Sequence, residues 1–273
     1  MFKIISTSKN GFEEVTDEVK TEQNVFDLLV KNNKILPDDF GYVGIPLADN
    51  INKRGVVYTQ NLINDIQNKF PNFKKMFVCQ HIKVNELNFY DNTVFTPHTL
   101  NSQKHLCIPH YNSVIKKEDY IEPLKRKYKF SFFGAFNSHM SRKQLSVYNT
   151  EDTPVIDTGT WHYYKSPSDK EKFKTDYIHN LSNTVFSLCP EGTGVSTIRL
   201  FESMACGSIP VLFNDVKVPD CVKEYCVYSK IESLQDDLKN IEDKMDEYSK
   251  NLYEIYWSRL ENDKILEYIL DNV

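Results

Sequence analysis

The sequence predicts an α/β protein of two Rossmann-like halves, each with a parallel β-sheet, followed by a helical C-terminal tail. Short apolar runs typical of buried strands alternate with helical apolar patterns. Strands that are separated by helices pair in parallel. A polar segment of mixed charge, Asn112 to Lys127, interrupts this alternation and indicates a linker. We therefore expect two domains, residues 1–120 and 121–273.

The first half is predicted to hold five strands and two helices. The strands are Phe2 to Ile5, Tyr42 to Ala48 (ending at Asp49), Lys75 to Ile82, Thr93 to Thr96 and His105 to Ile108, and the helices include Val25 to Val30 and Val56 to Phe70.

The second half repeats the alternation and ends in helices. Its strands are Phe130 to Phe133, Pro154 to Asp157, Thr184 to Leu188, Ile209 to Phe213 and Cys226 to Tyr228, and its helices start near Ser141, Asp169 and Ile198. Apolar residues spaced three and four apart from Ile231 predict one amphipathic helix that covers the sheet. A last helix near Ile265 to Leu270 is expected to return to the first half.

The segment from Thr184 to Pro219 contains the most informative pattern. A buried strand ends at Cys189-Pro190, because proline cannot donate to a sheet ladder. A loop with two glycines follows, and Ser196 or Thr197 is a natural N-cap of the next helix. Gly207 stands where a helix end favours a left-handed residue. The segment thus predicts a strand, glycine loop, helix and strand.

Arg199 is unusual because it lies in the first turn of this helix, where Asp or Glu is favoured. A cation is tolerated there if an anion sits in front of the helix, where backbone N–H groups and a guanidinium converge on a phosphate. Glu202, three residues later, could then accept from a ribose hydroxyl. The alternative is an ordinary turn with an Arg199–Glu202 surface pair.

These residues resemble the signature of exostosin-like glycosyltransferases of the GT47 type. The resemblance rests on Cys189-Pro190-Glu191-Gly192, Ser196-x-x-Arg199, Glu202 and the run Cys206 to Val211. Ser203 and Ser208 depart from the family pattern, which has Ala and Cys there. The resemblance implies a GT-B arrangement, with two halves facing a cleft and inverting transfer of a sugar from a UDP-sugar to a glycan. It extends to short members without an anchor that large DNA viruses encode.

In such an arrangement the C-terminal half holds the donor. Arg199 is the first candidate for the diphosphate and Arg142, at another helix start, is the second; a solvated charge is the alternative for Arg142. The family pattern assigns Glu202 to the ribose. The remaining donor candidates belong to the loop and its motif: Glu191, Gly192, Thr193 and Ser196.

The general base is expected in the first half. Asp49 and His81 follow predicted strands, where open α/β sheets bind ligands, and either could accept the proton of an acceptor hydroxyl. A capping or structural role is the alternative for both. His98 and His110 are weaker candidates, better explained as polar residues at strand ends.

The composition and motifs of the chain argue against several classes of partner and cofactor. The net charge of −5 argues against a general nucleic-acid surface. No apolar run is long enough for a membrane span, and the N-terminus lacks the apolar region of a signal peptide, so we expect a cytoplasmic protein. The six cysteines show no C-x-x-C spacing and are expected to be reduced. No D-x-D motif and no metal-ligand spacing of histidines occur, which favours a reaction without metal or other cofactor.

Two other functions stay open. Gly192-x-Gly194 is similar to part of a dinucleotide fingerprint, although Thr197 replaces the third glycine, so an NAD-type oxidoreductase is one alternative. A non-catalytic sugar- or nucleotide-binding protein on a transferase fold is the other. The resemblance alone suggests UDP-xylose as donor. Trp161, His162 and Tyr163 could stack on a sugar or uracil, or simply pack.

Overall fold

The computed structural model describes residues 3–5, 20–32, 40–159 and 167–273 and shows a mixed α/β fold with two parallel sheets. The predicted fold class, two parallel-sheet halves with helices, is confirmed. The chain divides into a first unit, up to Tyr111 together with Arg259–Val273, and a second unit, Asn112–Ser258. Trp161, His162 and Tyr163 lie outside the described residues.

Ten strands and eight α-helices are found in the described residues. The strands are β1 (Lys3–Ile5), β2 (Phe40–Val43), β3 (Lys74–Val78), β4 (Thr93–Thr96), β5 (Leu106–Cys107), β6 (Tyr128–Gly134), β7 (Val155–Asp157), β8 (Thr184–Cys189), β9 (Ile209–Leu212) and β10 (Val227–Tyr228). The helices are α1 (Lys20–Asn32), α2 (Leu47–Lys69), α3 (Met140–Gln144), α4 (Pro167–Ser182), α5 (Ile198–Cys206), α6 (Leu234–Lys239), α7 (Met245–Ile255) and α8 (Ile265–Asp271).

The first unit has its five strands in chain order, β1-β2-β3-β4-β5, all parallel. Helix α2 buries Leu47, Ile63 and Ile66 in one apolar core with Phe77 of β3 and Val94 of β4. Helix α8 packs against α1, as expected for a last helix that returns to the first half.

The second unit has the order β7-β6-β8-β9-β10, again parallel throughout. Counted along the unit this is 2-1-3-4-5, a doubly wound order in which the chain changes direction between its first and third strands. Here those strands are β6 and β8, which pair directly. Ligands of open α/β sheets bind beyond the carboxyl ends of the strands at such a reversal. This places the loops after β6 and β8 at the expected binding edge.

Two predicted strands of the first unit are too long. Strand β2 ends at Val43, and Pro46 precedes α2, so Asp49 lies in the first turn of that helix and not at a strand end. Proline fixes φ and lacks an N–H donor, which suits a helix start better than a sheet ladder. Gly55, at φ +85°, interrupts α2 just before the predicted helix start at Val56.

Strand β3 ends at Val78, three residues before His81. The N–H of Cys79 still donates to the backbone oxygen of Phe95 in β4, whereas the N–H of Gln80 donates to the Glu22 carboxyl group, each at 3.0 Å. His81 therefore lies in a turn beyond the strand.

The tail was predicted as one amphipathic helix, and this is wrong. Helix α6 ends at Lys239, a short 3₁₀ turn (Glu242–Lys244) follows, and α7 begins at Met245. Each helix buries its own residues: Leu234 and Leu238 of α6 are in the core, and Leu252 is buried on α7, the helix that packs against α5.

Two further expectations concern the whole chain. All six cysteines are free, and only Cys221 is not fully buried. Within the described residues, no helix combines the length and apolar character that a membrane crossing requires.

Candidate active site

Helix α5 starts at the sheet reversal without a capping side chain. Thr197 is the N-cap residue, its side chain makes no capping hydrogen bond, and no Asp or Glu lies in the first turn. The first N–H groups of a helix have no partner within the helix and carry partial positive charge. This nine-residue helix thus directs unneutralised donors at the loop after β8.

Ser196 precedes the N-cap residue and is not the cap itself. It is buried, and its Oγ has no hydrogen-bond partner among the described residues. Because buried polar atoms are rarely left unsatisfied, this hydroxyl indicates a missing partner at the start of α5.

Arg199 is buried in the first turn of α5. Its Nη2 donates to the backbone oxygen of Phe133, at the end of β6. Its guanidinium lies 4.7 Å from the centre of the Phe132 ring and 5.0 Å from that of Tyr177. No hydrogen bond to Nε or Nη1 and no carboxylate partner are found in the part of the chain that the structure describes. The alternative of an exposed Arg199–Glu202 pair is wrong, since both residues are 7% exposed.

Arg142 reaches the same place from α3. Its Nε donates to the backbone oxygen of Glu191, at 2.9 Å, and its Nη1 to that of Ala135, at 3.2 Å. Its guanidinium lies 5.4 Å from the centre of the Phe132 ring, so both arginines contact one aromatic ring. We call Arg142, Arg199 and Phe132 the arginine site.

Burial first, and the nearby charge of Arg199 second, lower the pKa of Arg142 to about 10. Arg142 nevertheless stays charged at neutral pH. Two like charges held together are unfavourable unless an anion lies between or beside them. The arrangement is therefore complementary to a group with more than one negative charge.

Two glycines make room for the two guanidinium groups. A Cβ atom on Gly192 would lie 2.7 Å from Nη2 of Arg142. One on Gly134 would lie 2.7 Å from the Phe132 ring and 3.3 Å from Nη2 of Arg199. Gly192 thus allows the guanidinium of Arg142 to approach the loop closely, and its expected role in approaching a ligand stays a prediction.

Glu202 lies one turn after Arg199 and accepts a hydrogen bond of 2.5 Å from the Tyr177 hydroxyl. Burial raises the pKa of Glu202, while the bond to Tyr177 and the charge of Arg199 act against that rise. Tyr177 belongs to the helix predicted to start near Asp169 and was not among the candidate site residues. The sequence signal that could have identified this contact is the hydroxyl itself, because a buried tyrosine usually has a polar partner.

The two remaining loop candidates differ in their surroundings. The Glu191 carboxylate lies 3.3 Å from Nε2 of His139 and accepts from Nδ2 of Asn214, also at 3.3 Å, so its side chain braces the loop. Thr193 is exposed.

In the first unit, Asp49 and His81 follow neighbouring strands. Asp49 forms an ion pair with Lys53 at 3.0 Å. Nδ1 of His81 accepts from the N–H of Lys83, so Nε2 carries the ring proton of the neutral form and donates to Oδ1 of Asn52, each at 3.0 Å. Burial and the charge of Lys83 lower the pKa of His81. In this arrangement His81 has no free lone pair for a proton, whereas Asp49 is held by a flexible lysine.

His98 and His110 lie side by side in the same unit, with ring centres 5.1 Å apart. Burial lowers the pKa of His98 to about 4 and that of His110 well below its usual range. No group of three or more metal-ligating side chains is found among the described residues.

Comparison with known proteins identifies the family. The model of the exostosin GT47 domain matches residues 63–245, which are 183 of the 273 residues. The chain belongs to the exostosin GT47 domain family. The matched part of this GT47 chain contains Arg142, His81 and the whole segment from Glu191 to Glu202, while Asp49 lies outside it.

A solved structure titled "Crystal structure of GtfA/B complex" is similar to this GT47 chain with a TM-score of 0.39 and 13% sequence identity. The likeness covers 93% of this chain and 60% of the other, so the chain spans less than two thirds of that structure's length. No curated protein matches this sequence.

Proposed function

We propose that this GT47 chain is an inverting glycosyltransferase that moves a sugar from a UDP-sugar to a hydroxyl group of a glycan acceptor. The observation that carries the proposal is the arginine site at the start of α5. Two guanidinium groups, uncapped helix N–H groups and an unsatisfied serine hydroxyl meet at the sheet reversal. Family membership supports the transferase class.

In this proposal the leaving diphosphate is bound by Arg199 and Arg142. Arg199 offers Nε and Nη1, and Arg142 offers Nη2, because the other N–H groups of both side chains already donate to backbone oxygens. Fixed donors that face the developing negative charge lower the barrier to departure without reorganising. We propose that this stabilisation needs no metal ion.

We propose Asp49 or His81 as the general base. Asp49 is our first candidate, because the alternative, His81, has both ring nitrogens engaged. UDP-xylose is the first donor to test, on the family resemblance alone. A cytoplasmic location and the resemblance to viral members are further predictions.

Calorimetric titration of UDP tests the central claim. We expect wild-type protein to bind UDP equally well with and without EDTA. Arg199→Ala should raise the Kd about 10- to 100-fold, since a hydrogen bond to a charged group is worth about 1.5–3 kcal/mol. Arg259→Ala is the matched control, because this exposed arginine pairs with Asp271 at the surface. Absence of UDP binding would refute the proposal.

A second candidate function is nucleotide binding without transfer, favoured by the engaged nitrogens of His81. Incubation with a panel of UDP-sugars and glycan acceptors separates the two. Transfer with an inverted anomeric centre in the product supports the transferase, and tight UDP binding without release of UDP from any donor supports the second candidate.

A further inference from the structure

A cavity of about 230 Å³ lies in the second unit, next to the arginine site. Its lining includes Phe133 at the end of β6, Ile156 and Asp157 at the end of β7, and Phe173 and Tyr177 on α4. We call it the side pocket. It lies at the carboxyl edge of the sheet, as the arginine site does.

The side pocket and the arginine site share two residues. The Tyr177 ring lines the pocket and also faces the Arg199 guanidinium at 5.0 Å, and the backbone oxygen of Phe133 accepts from Arg199. Only the Tyr177 ring therefore separates the side pocket from the position of phosphates that contact Arg199.

The lining suits a flat, uncharged group that has hydrogen-bond donors. Phe133, Ile156, Phe173 and Tyr177 supply apolar surface, and the rings of Phe173 and Tyr177 are nearly parallel, 9° apart. Ile156 is 41% exposed, which is unusual for a large apolar side chain at a strand end. Among the described residues, the lining contains no lysine, arginine or histidine and includes the carboxylates Asp157 and Asp176, so these residues do not favour a second phosphate there.

Asp157 is, like Asp176, a carboxylate of the lining, and the backbone holds it in place. Its Oδ1 accepts from the N–H groups of Phe136 and Gly159, both at 2.9 Å. No described residue donates to its Oδ2. A fixed carboxylate with one free oxygen is an acceptor for hydroxyl or N–H donors of a ligand.

We propose that the side pocket binds the nucleoside of the donor and that Oδ2 of Asp157 accepts a hydrogen bond from it. This inference rests on the proposed function, since it needs the diphosphate at the arginine site. Both the ribose hydroxyls and the N–H groups of a base offer this chemistry. Asp157 is then a specificity residue that the glycine loop motif does not include.

The test compares UDP with inorganic pyrophosphate, which lacks the nucleoside, by calorimetry. Asp157→Asn keeps an oxygen for the two backbone N–H groups and removes the charge, and we expect it to raise the Kd for UDP about tenfold. Phe173→Ala should act in the same direction by removing one pocket wall. Both variants should bind pyrophosphate as wild type does. Asp152→Asn, an exposed carboxylate before the same strand, is the control and should bind both ligands unchanged.

The outcomes separate the two proposals. An unchanged affinity for UDP in Asp157→Asn and Phe173→Ala overturns the side-pocket assignment, and so does an equal loss for UDP and pyrophosphate. If Arg199→Ala leaves pyrophosphate binding intact, the arginine site itself is refuted. Titration with 2′-deoxy-UDP and with other nucleoside diphosphates identifies the donor group: if Asp157 binds the ribose 2′-hydroxyl, wild type loses affinity for 2′-deoxy-UDP and Asp157→Asn does not discriminate.

Discussion

Replacing Gly192 by alanine tests whether the loop glycine acts through Arg142. The added methyl group would lie 2.7 Å from Nη2 and 3.5 Å from Cζ of that arginine. Gly192 is not among the glycines with positive φ, so alanine fits its backbone. The guanidinium is the far end of a flexible side chain and can move away. We therefore expect the free energy of unfolding to change by less than about 0.5 kcal/mol, as for a substitution that strains nothing else.

The effect on ligand binding should be much larger. Nη2 is the nitrogen of Arg142 that the described residues leave without a hydrogen bond, because Nε and Nη1 donate to backbone oxygens. In the proposed function, moving it removes one charge-assisted hydrogen bond to the diphosphate, worth about 1.5–3 kcal/mol. The Kd for UDP should rise about 10- to 100-fold, with little change in stability.

A double-mutant cycle provides the assay. UDP affinity is measured by calorimetry, and stability by urea unfolding, for wild type, Gly192→Ala, Arg142→Ala and the double variant. If the glycine acts through the arginine, adding Gly192→Ala to Arg142→Ala causes no further loss of UDP affinity. The coupling free energy then equals the whole loss of binding free energy caused by Gly192→Ala alone. Additive losses would refute this reasoning, and so would an unchanged UDP affinity in Gly192→Ala.

Two other predictions concern stability. Arg126→Met should lower the free energy of unfolding, measured in urea, by about 3–5 kcal/mol. The buried guanidinium donates to the backbone oxygens of Ile121, Thr184 and Cys206, which lose this donor in the variant. A loss below about 1 kcal/mol would contradict this. Burial holds the pKa of His98 at about 4 against 6.5 when unfolded, so the unfolded state binds the proton first and stability falls as the pH drops below about 6.5. His98 alone should account for about 2 kcal/mol of the stability lost from pH 7 to pH 5, and His98→Gln should make the urea-stability profile flatter by that share.

Local signals were enough to predict α5 and the strands beside it. Pro190 ended the strand, Gly207 ended the helix in the left-handed region at φ +67°, and the apolar runs between them formed β8 and β9. Each of these effects acts within a few residues, so the sequence shows it directly. The prediction for the tail was wrong for the opposite reason. Its apolar spacing continues through Asn240, just after α6 ends, and only the packing of α7 against α5 shows that the helix is interrupted there.

The arginine site could be predicted only in part. Arg199 was found because it violates a local rule at a helix start. Phe132 was predicted merely as a strand residue, since its contact with two arginines depends on β6 and β8 being neighbours. An alternation of strands and helices is equally compatible with a sheet in chain order, as in the first unit, and with a reversed order, as in the second. The strand order decides at which loops a ligand binds, and the sequence pattern does not determine the strand order.

The two units also differ in what occupies a helix start. In the first unit, Oε1 of Glu22 accepts from the first-turn N–H of Ala48 at 3.1 Å, so a carboxyl group of the protein occupies the start of α2. In the second unit the start of α5 has no such group among the described residues, and two arginines face it instead. Both helices follow a parallel strand, so the fold alone favours an anion at either one. Glu22 lies 26 residues before Ala48, and the absence of its equivalent near α5 cannot be read from a local motif. The two helix starts therefore differ in their partners: a carboxyl group of the protein lies at α2, and two arginines lie near α5, in the unit for which we propose diphosphate binding.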